Sequence, residues 1–329
     1  MLRVCLFLLL IIPVSQTQTN PERGDIRVVI LGDFNSSYGS LSYPPELSKV
    51  LETTLRVWQP DLLLSPGDVV AGQSTALPDE RFAEMWAAFD AVVAQPLREA
   101  GIPYALAVGN HDGSSLRASN GTFQFERERA AARAYWRQPR HDTLAYQNQD
   151  DFPFNYSFVF ADVFFVVWDA SSAVITDDQR AWLAAELTRP AARNARLRIL
   201  TGHLPLYGVG EGKDKPGEVL NGAKDLRSQL ERLGVDLYVS GHHAAYYPAR
   251  AGSLTLLHAG GIGARRLVGD SAEPRSTVTV LDIDLEPRDL RFTTFDTASF
   301  EVVALEALPE RLDGLNGPLW RVDKAPESP

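Results

Sequence analysis

Five short loops carry side chains able to hold metal ions: Gly32-Asp33-Phe34-Asn35, Pro66-Gly67-Asp68, Gly109-Asn110-His111-Asp112, Gly202-His203 and Gly241-His242-His243. Each sets a carboxylate, amide or imidazole just after an apolar run, where open α/β sheets gather their ligands. Oxygen and imidazole donors without sulfur suit Mn, Fe, Zn or Co, and a carboxylate shared by two ions holds them about 3.5–4 Å apart. Such a pair polarises a phosphoryl group and supplies a hydroxide nucleophile near neutral pH, which no side chain here offers unaided. A histidine suits the remaining task, protonating a departing alkoxide. Taken singly, an Asp, Asn or His is more often a cap, a turn residue or a satisfied polar group, so the weight rests on the joint order. The chain has no Gly-x-Ser-x-Gly elbow, which removes the main serine-hydrolase reading, and its glycine clusters do not open a dinucleotide site.

The elements that must position these loops are legible as alternating strand-like runs and amphipathic helices, the pattern of a layered α/β domain. Strands are expected at Ile26–Leu31, Leu62–Leu64, Tyr104–Val108, Val163–Trp168, Leu197–Leu200, Leu237–Val239 and Leu254–His258. Helical spacing covers Pro45–Trp58, Asp79–Ala100, Asp177–Thr188 and Lys224–Leu233. Residues 113–151 break the rhythm and read as an insertion over one face, a substrate-shaping cover. After Gly263, Thr277–Leu285, Leu290–Phe295 and Phe300–Leu305 read as antiparallel strands finishing a second sheet. The catalytic domain is expected over 24–308, with 309–329 a loosely ordered tail.

The ordered set Asp33, Gly67-Asp68, Gly109-Asn110-His111-Asp112, Gly202-His203 and Gly241-His242 resembles the calcineurin-like metallophosphoesterases over roughly Ile26 to Val268. The resemblance implies an α/β fold of two sheets in a sandwich flanked by helices, and metal-dependent hydrolysis of a small-molecule phosphate ester, a monoester before a diester. It implies two divalent ions of the Mn, Fe or Zn kind. Asp68 would bridge them, Asn110, His203 and His242 would complete one sphere, and Asp33 would belong to the other. His111 would be the general acid, and Asp112 would orient it by hydrogen bonding. Two positions depart from the family pattern, and both losses fall on the Asp33 ion. Asn35 stands where a histidine is usual, and there ligation competes with the roles of turn former and glycosylation acceptor. Ala244 stands where a second histidine is usual, and a methyl donates nothing. His243, Tyr246, Tyr38 or water could fill that gap. An extended backbone would let a histidine at 244 face the ions beside His242. Ala71 occupies the tyrosine position of the purple acid phosphatase branch, so a charge-transfer di-iron site is not expected. The alternative to an enzyme is a metal-binding protein that holds phosphorylated ligands without turning them over.

The bulk numbers agree with a globular protein of 329 residues, 45% hydrophobic and 22% charged. A net charge of −10 argues against a constitutive nucleic-acid partner. Residues 1–19 read as an export signal, or an anchor if uncleaved, which places the protein in the periplasm, cell envelope or medium and limits membrane contact to that segment. The one cysteine, Cys5, lies in it, so a processed chain would carry neither disulfide nor thiolate ligand. His258 reads as a packed strand-end histidine. The sequence is silent on oligomeric state.

Overall fold

A computed structural model describes residues 20–139 and 143–324. The expected export signal or anchor at 1–19, with Cys5, lies outside the described residues. Among those described, no helix is long and apolar enough to cross a membrane.

The strands in chain order are β1 (Ile26–Ile30), β2 (Leu62–Ser65), β3 (Tyr104–Leu106), β4 (Ala145–Asp151), β5 (Asn155–Phe160), β6 (Val163–Val167), β7 (Leu197–Thr201), β8 (Leu237–Ser240), β9 (Tyr246–Ala251), β10 (Leu254–Ala259), β11 (Thr277–Asp284), β12 (Asp289–Asp296), β13 (Arg311–Leu312) and β14 (Leu319–Arg321). They form a five-stranded sheet, β12-β11-β1-β2-β3, and a nine-stranded sheet, β13-β14-β9-β10-β8-β7-β6-β5-β4. β1, β2 and β3 run parallel, with Val29 opposite Leu63 and Leu64 opposite Ala105. In the larger sheet β6, β7, β8 and β10 are parallel neighbours.

Alternation along the strands divides the core. Val163, Phe165 and Val167 face a buried cluster shared with β1, β2, β3 and β11, whereas Phe164, Val166 and Trp168 face a second cluster. That second cluster lies beneath the helices Asp177–Leu187 and Ala223–Arg232, through Leu183, Leu187, Leu226 and Leu230. The helices Pro45–Thr53 and Asp79–Phe89 pack on the smaller sheet through Leu47, Val50, Phe82 and Phe89. Strands buried on both faces need the apolar runs that Leu62–Leu64 and β6 show, and in β1 the one break, Arg27, is buried in an ion pair with Asp282 at 2.8 Å. The architecture is the expected sandwich of two sheets flanked by helices.

Local signals set the helix starts. Pro45 occupies the first helical position, where its missing N–H costs nothing. Thr176 caps Asp177–Leu187 in a reciprocal pair with Gln179. The two long expected helices are interrupted, each turning into a π-helical stretch at Thr54–Trp58 and Asp90–Ala94.

Three expectations change. Residues 113–151 are not a cover laid over a finished domain: the helix Glu126–Trp136 stacks Tyr135 on Trp86 at 5.0 Å, and β4 extends the larger sheet. A helix with that much buried aromatic surface is part of the core. Phe300–Leu305 is not a strand. Only Val302 bridges to Phe295, and Leu305–Ala307 is a 3-10 turn; β11 and β12 themselves join the sheet of β1. Beyond Pro309 the described tail is ordered, since β13 and β14 edge the larger sheet and bury Leu312 and Leu319.

Candidate metal centre

The carboxyl ends of β1, β2 and β3 deliver Asp33, Asp68 and Asn110 side by side, and those of β7 and β8 deliver His203 and His242 from the facing sheet. Backbone bonds tie the loops together: Asp33 N–H donates to Gly67 O at 2.9 Å, and Gly241 N–H to His203 O at 2.9 Å. The glycines permit the approach. A Cβ at Gly109 would stand 2.2 Å from Asp68 Oδ1, and one at Gly241 2.3 Å from Asp33 Oδ2. Asp33, Asp68, His242 and Ala244 all have positive φ, at 48°, 57°, 66° and 46°. Such left-handed residues cost energy and cluster where geometry serves a site.

Asp68, His203 and His242 are buried and offer ligand atoms within 4.8 Å of one another. Asn110 Oδ1 lies 2.8 Å from both His203 Nε2 and His242 Nδ1. His203 Nε2 is 3.2 Å from His242 Nδ1 and 3.3 Å from Asp68 Oδ2. Bonds of about 2.0–2.2 Å to one ion put neighbouring ligand atoms about 3.0–3.5 Å apart, so these spacings, 2.8 Å at the tightest, fit one shared sphere.

The outer nitrogens fix the tautomers. His203 Nδ1 faces Pro66 O at 2.7 Å, which can only accept, so Nδ1 carries hydrogen and Nε2 is the atom that can exchange a proton for a cation. His242 Nε2 faces Glu218 Oε2 at 2.7 Å. The hydrogen bond to His242, aided by Lys213, holds the Glu218 carboxyl well below the usual carboxylate range. Glu218 is therefore an acceptor, and Nε2 of His242 must donate. Burial pushes His242 down to about 4 against the pull of Glu218, so the ring is neutral near pH 7. Its Nδ1 lone pair then points at the Asn110 oxygen with no proton between them. Two buried acceptors in that juxtaposition call for a cation.

The charges beneath agree. Burial raises Asp68, yet His203, His111 and His242 outweigh it and keep its carboxyl well below the usual range. For His203 burial lowers, and the Asp68 and Asp33 carboxylates overcome it to reach about 9. Burial lifts Asp33 to about 8, with Asp68 adding to the shift and His203 opposing it. Divalent charge would displace protons from this cluster.

The remaining predicted residues occupy distinct positions. Both Asp33 oxygens accept the backbone N–H of His242, at 2.9 and 3.1 Å, so Asp33 borders the four-ligand cluster from below. Asn35 donates its backbone N–H to Asp68 O at 3.2 Å. His111 N–H donates to Asp68 Oδ1 at 2.9 Å, and the His111 ring is steered by Gly72 O, 3.1 Å from Nδ1. Asp112 does not orient that ring. Its Oδ2 accepts from Asp68 and Gly109 N–H and its Oδ1 from Val69 and Val70 N–H, at 2.8 to 2.9 Å. The short helix Asn110–Gly113 turns it back beneath the loop of Asp68.

None of the side chains offered for the gap at Ala244 turns toward the ions by its described contacts. His243 Nδ1 accepts from Val209 and Gly210 N–H at 3.2 Å and its Nε2 donates to Glu218 O at 2.9 Å, so both nitrogens are spent. Tyr246 bonds toward Thr294, and Tyr38 stacks on His111. The backbone around Ala244 is not extended, because residues 242 and 244 are left-handed, and the alternation expected for a histidine there does not hold. Its methyl lies beside Gly263.

Sequence reasoning missed Glu218 and Gln73. Gln73 Oε1 accepts from Asn110 Nδ2 at 2.8 Å, leaving Asn110 Oδ1 free for the cluster. Neither lies in a recognisable motif; the segment 209–219, which holds Glu218, reads from the sequence as a substrate-setting loop and not as a support for a ligand.

No curated protein sequence matches the chain. Among solved structures it is similar to the purple acid phosphatase PPD1 from yellow lupin (Lupinus luteus) seeds, at 16% identity and TM-score 0.59, over 86% of this chain and 54% of that one. The chain thus spans about half the length of the lupin protein. It is similar to GAP50, the anchor in the inner membrane complex of Plasmodium, at 15% identity and TM-score 0.51, over 85% of this chain and 87% of that one. These likenesses concern the fold. The family model described as calcineurin-like phosphoesterase matches residues 26–246, from β1 through the loop that carries His242. With that match covering most of the domain and the loops of Asp33, Asp68, Asn110, His203 and His242 inside it, the chain belongs to the calcineurin-like phosphoesterase family.

Proposed function

We propose that the protein hydrolyses phosphomonoesters outside the cytoplasm, using divalent metal held by Asp68, Asn110, His203 and His242, with a second, weaker ion at Asp33. The observation that carries this reading is the convergence of four inward ligand atoms whose outer partners, Pro66 O, Glu218 and Gln73, leave the inner lone pairs available. Bound there, divalent cations neutralise phosphoryl charge and make water a competent nucleophile near neutral pH. Asp33 and Asn35 are the protein groups assigned to the weaker ion. His111 gives the proton to the departing oxygen: its Nδ1 is held by Gly72 O, leaving Nε2 to carry the transferable hydrogen. Asp112 keeps the loop of Asp68 in shape. Export rests on the basic and apolar start of the chain.

Metal analysis and steady-state assays test the reading. Asp68→Ala and His203→Ala should lose most bound metal. His111→Ala should keep it and turn over about 10²–10⁴-fold more slowly on alkyl phosphates, with a much smaller loss on p-nitrophenyl phosphate, whose leaving group needs no proton. Unchanged metal and rate in Asp68→Ala would refute the assignment. Faster turnover of bis-p-nitrophenyl phosphate than of the monoester would make the protein a diesterase. Ala244 favours one further reading, a binder of phosphorylated ligands, which a metal-loaded but inert protein would support.

A further inference from the structure

Large apolar side chains exposed on the described surface are few: Tyr38, Leu41, Val92, Leu116, Val174 and Val302. Four of these six stand on the three loops that follow β1, the short helix of His111 and β6: Tyr38 with Leu41, Leu116, and Val174. Tyr38 is 62% exposed, and its ring lies against the His111 imidazole with centroids 5.3 Å apart and planes 29° from parallel. Leu116 follows the short helix that carries His111, and Val174 follows β6. Their two loops are sewn together by Ser115 Oγ to Ser172 Oγ at 2.7 Å and Ser115 N–H to Ser171 Oγ at 2.8 Å.

Tyr38 does not sit on a loose tip. Gly39 N–H donates to Ala71 O at 2.7 Å, and Ser40 N–H to Ser37 O at 2.9 Å, so the turn is fastened to the loop of Asp68. One face of the ring covers the imidazole while most of its surface remains open to solvent. An aromatic face held open to solvent on a fastened turn, against the ring assigned as the acid, is placed to stack on a ligand that reaches that ring. Lys213, by contrast, is committed to Glu218 beside His242.

We infer that Tyr38 is a stacking platform for the leaving group, and that the favoured substrates are phosphate esters of alcohols bearing a planar aromatic ring. This rests on the assignment of His111 as the acid. An oxygen that takes its proton from His111 must lie within hydrogen-bond reach of that ring, and whatever the oxygen carries then lies alongside Tyr38. A planar group there can stack, whereas a short aliphatic one cannot.

The test compares 2-(2-naphthyl)ethyl phosphate with n-butyl phosphate, two alkyl esters whose leaving groups are of similar basicity, on the metal-loaded protein. The parent protein should prefer the naphthyl ester in kcat/KM by roughly five- to tenfold, the size of one aromatic stack. Tyr38→Ala should erase that preference, and Tyr38→Phe should keep it. Equal losses on both esters in Tyr38→Ala would reduce Tyr38 to a support for His111 and overturn the inference, as would a parent protein without preference. Calorimetric binding of the matching phosphonates, which cannot be hydrolysed, separates this from the assignment of activity. If no ester is turned over but the naphthyl phosphonate binds five- to tenfold more tightly in a Tyr38-dependent way, the platform stands and the hydrolase reading falls. Equal phosphonate affinities would overturn the platform, whatever the activity.

Discussion

Glu218 is the residue by which the metal centre can be weakened without touching a ligand. Its Oε2 lies 2.7 Å from His242 Nε2 and 2.8 Å from Lys213 Nζ, and its side chain is 24% exposed. As a carboxylate it fixes the His242 tautomer and adds electron density to the ring, which makes Nδ1 a better donor to a cation. In Glu218→Gln the amide oxygen can still accept the Nε2 hydrogen, but without charge, and the ion pair with Lys213 is lost because an NH2 group only donates. Loss of such an outer carboxylate typically weakens metal binding about 10- to 100-fold, or roughly 1.4–2.7 kcal/mol. Partial exposure places Glu218 toward the lower half of that range. Competition against a fluorescent chelator at fixed pH measures it, and circular dichroism with and without chelator confirms that the variant is folded. Glu218→Ala should lose more, since His242 then loses its acceptor as well as its charge. A metal Kd within twofold of the parent in both variants would refute the argument that Glu218 holds His242 for the metal.

Two further outcomes follow from buried groups. Asp112→Asn should cost roughly 3–5 kcal/mol in denaturant unfolding of metal-free protein, because each carboxylate oxygen accepts two N–H groups and the amide NH2, in either orientation, would face two donors; a variant with normal stability but slow turnover would return Asp112 to the role of orienting His111. His258, buried against Tyr247 O at 3.1 Å, is pushed down to about 4 by burial. The unfolded chain then binds the extra proton between pH 6.5 and 4, so stability should fall as pH drops through that window and level off below it, by roughly 3 kcal/mol in all. His258→Gln should flatten the chelated protein's stability profile by about that amount, and an unchanged profile would show that the ring is protonated without penalty.

The ligand loops were legible because sterics write them into the sequence. Gly109 precedes Asn110 and Gly241 precedes His242 because a Cβ at either would strike a neighbouring carboxylate, so the glycine travels with the ligand. The central strands were legible because both faces are buried and their runs are mostly apolar, whereas the polar, half-exposed β4 gave no such signal. What failed depended on partners far along the chain. Asp112 follows His111, and adjacency suggested a contact, but consecutive side chains on a helical segment point about 100° apart, and the carboxylate goes to backbone donors of residues 68–70. Phe300–Leu305 alternates like a strand, yet the sheet edge beside β12 takes only Val302. Glu218 meets His242 across 24 residues in a loop without periodicity, and no local pattern encodes that meeting.

The same tertiary contact explains how a chain with alanine at 244 keeps a well-formed half-site. The left-handed turns at His242 and Ala244 aim the His242 N–H at Asp33 and turn the His243 ring into the loop between β7 and the next helix. There His243 accepts from Val209 and Gly210 and donates to the carbonyl of Glu218, while the side chain of Glu218 comes back to His242. Burial holds His243 well below its ordinary pKa, which keeps Nδ1 an acceptor for both N–H groups. His243 thus does for the loop what it does not do for an ion. It places the acceptor that fixes its neighbour's tautomer, so the cluster of Asp68, Asn110, His203 and His242 is buttressed, while Asp33, which burial lifts to about 8, and His203, which reaches about 9 against burial through the Asp68 and Asp33 carboxylates, would each give up a proton to a bound cation. The two halves of the site therefore differ in ligand number and in how their donors are braced, His242 by Glu218 and Asn110 by Gln73, and both differences favour the half that His242 completes.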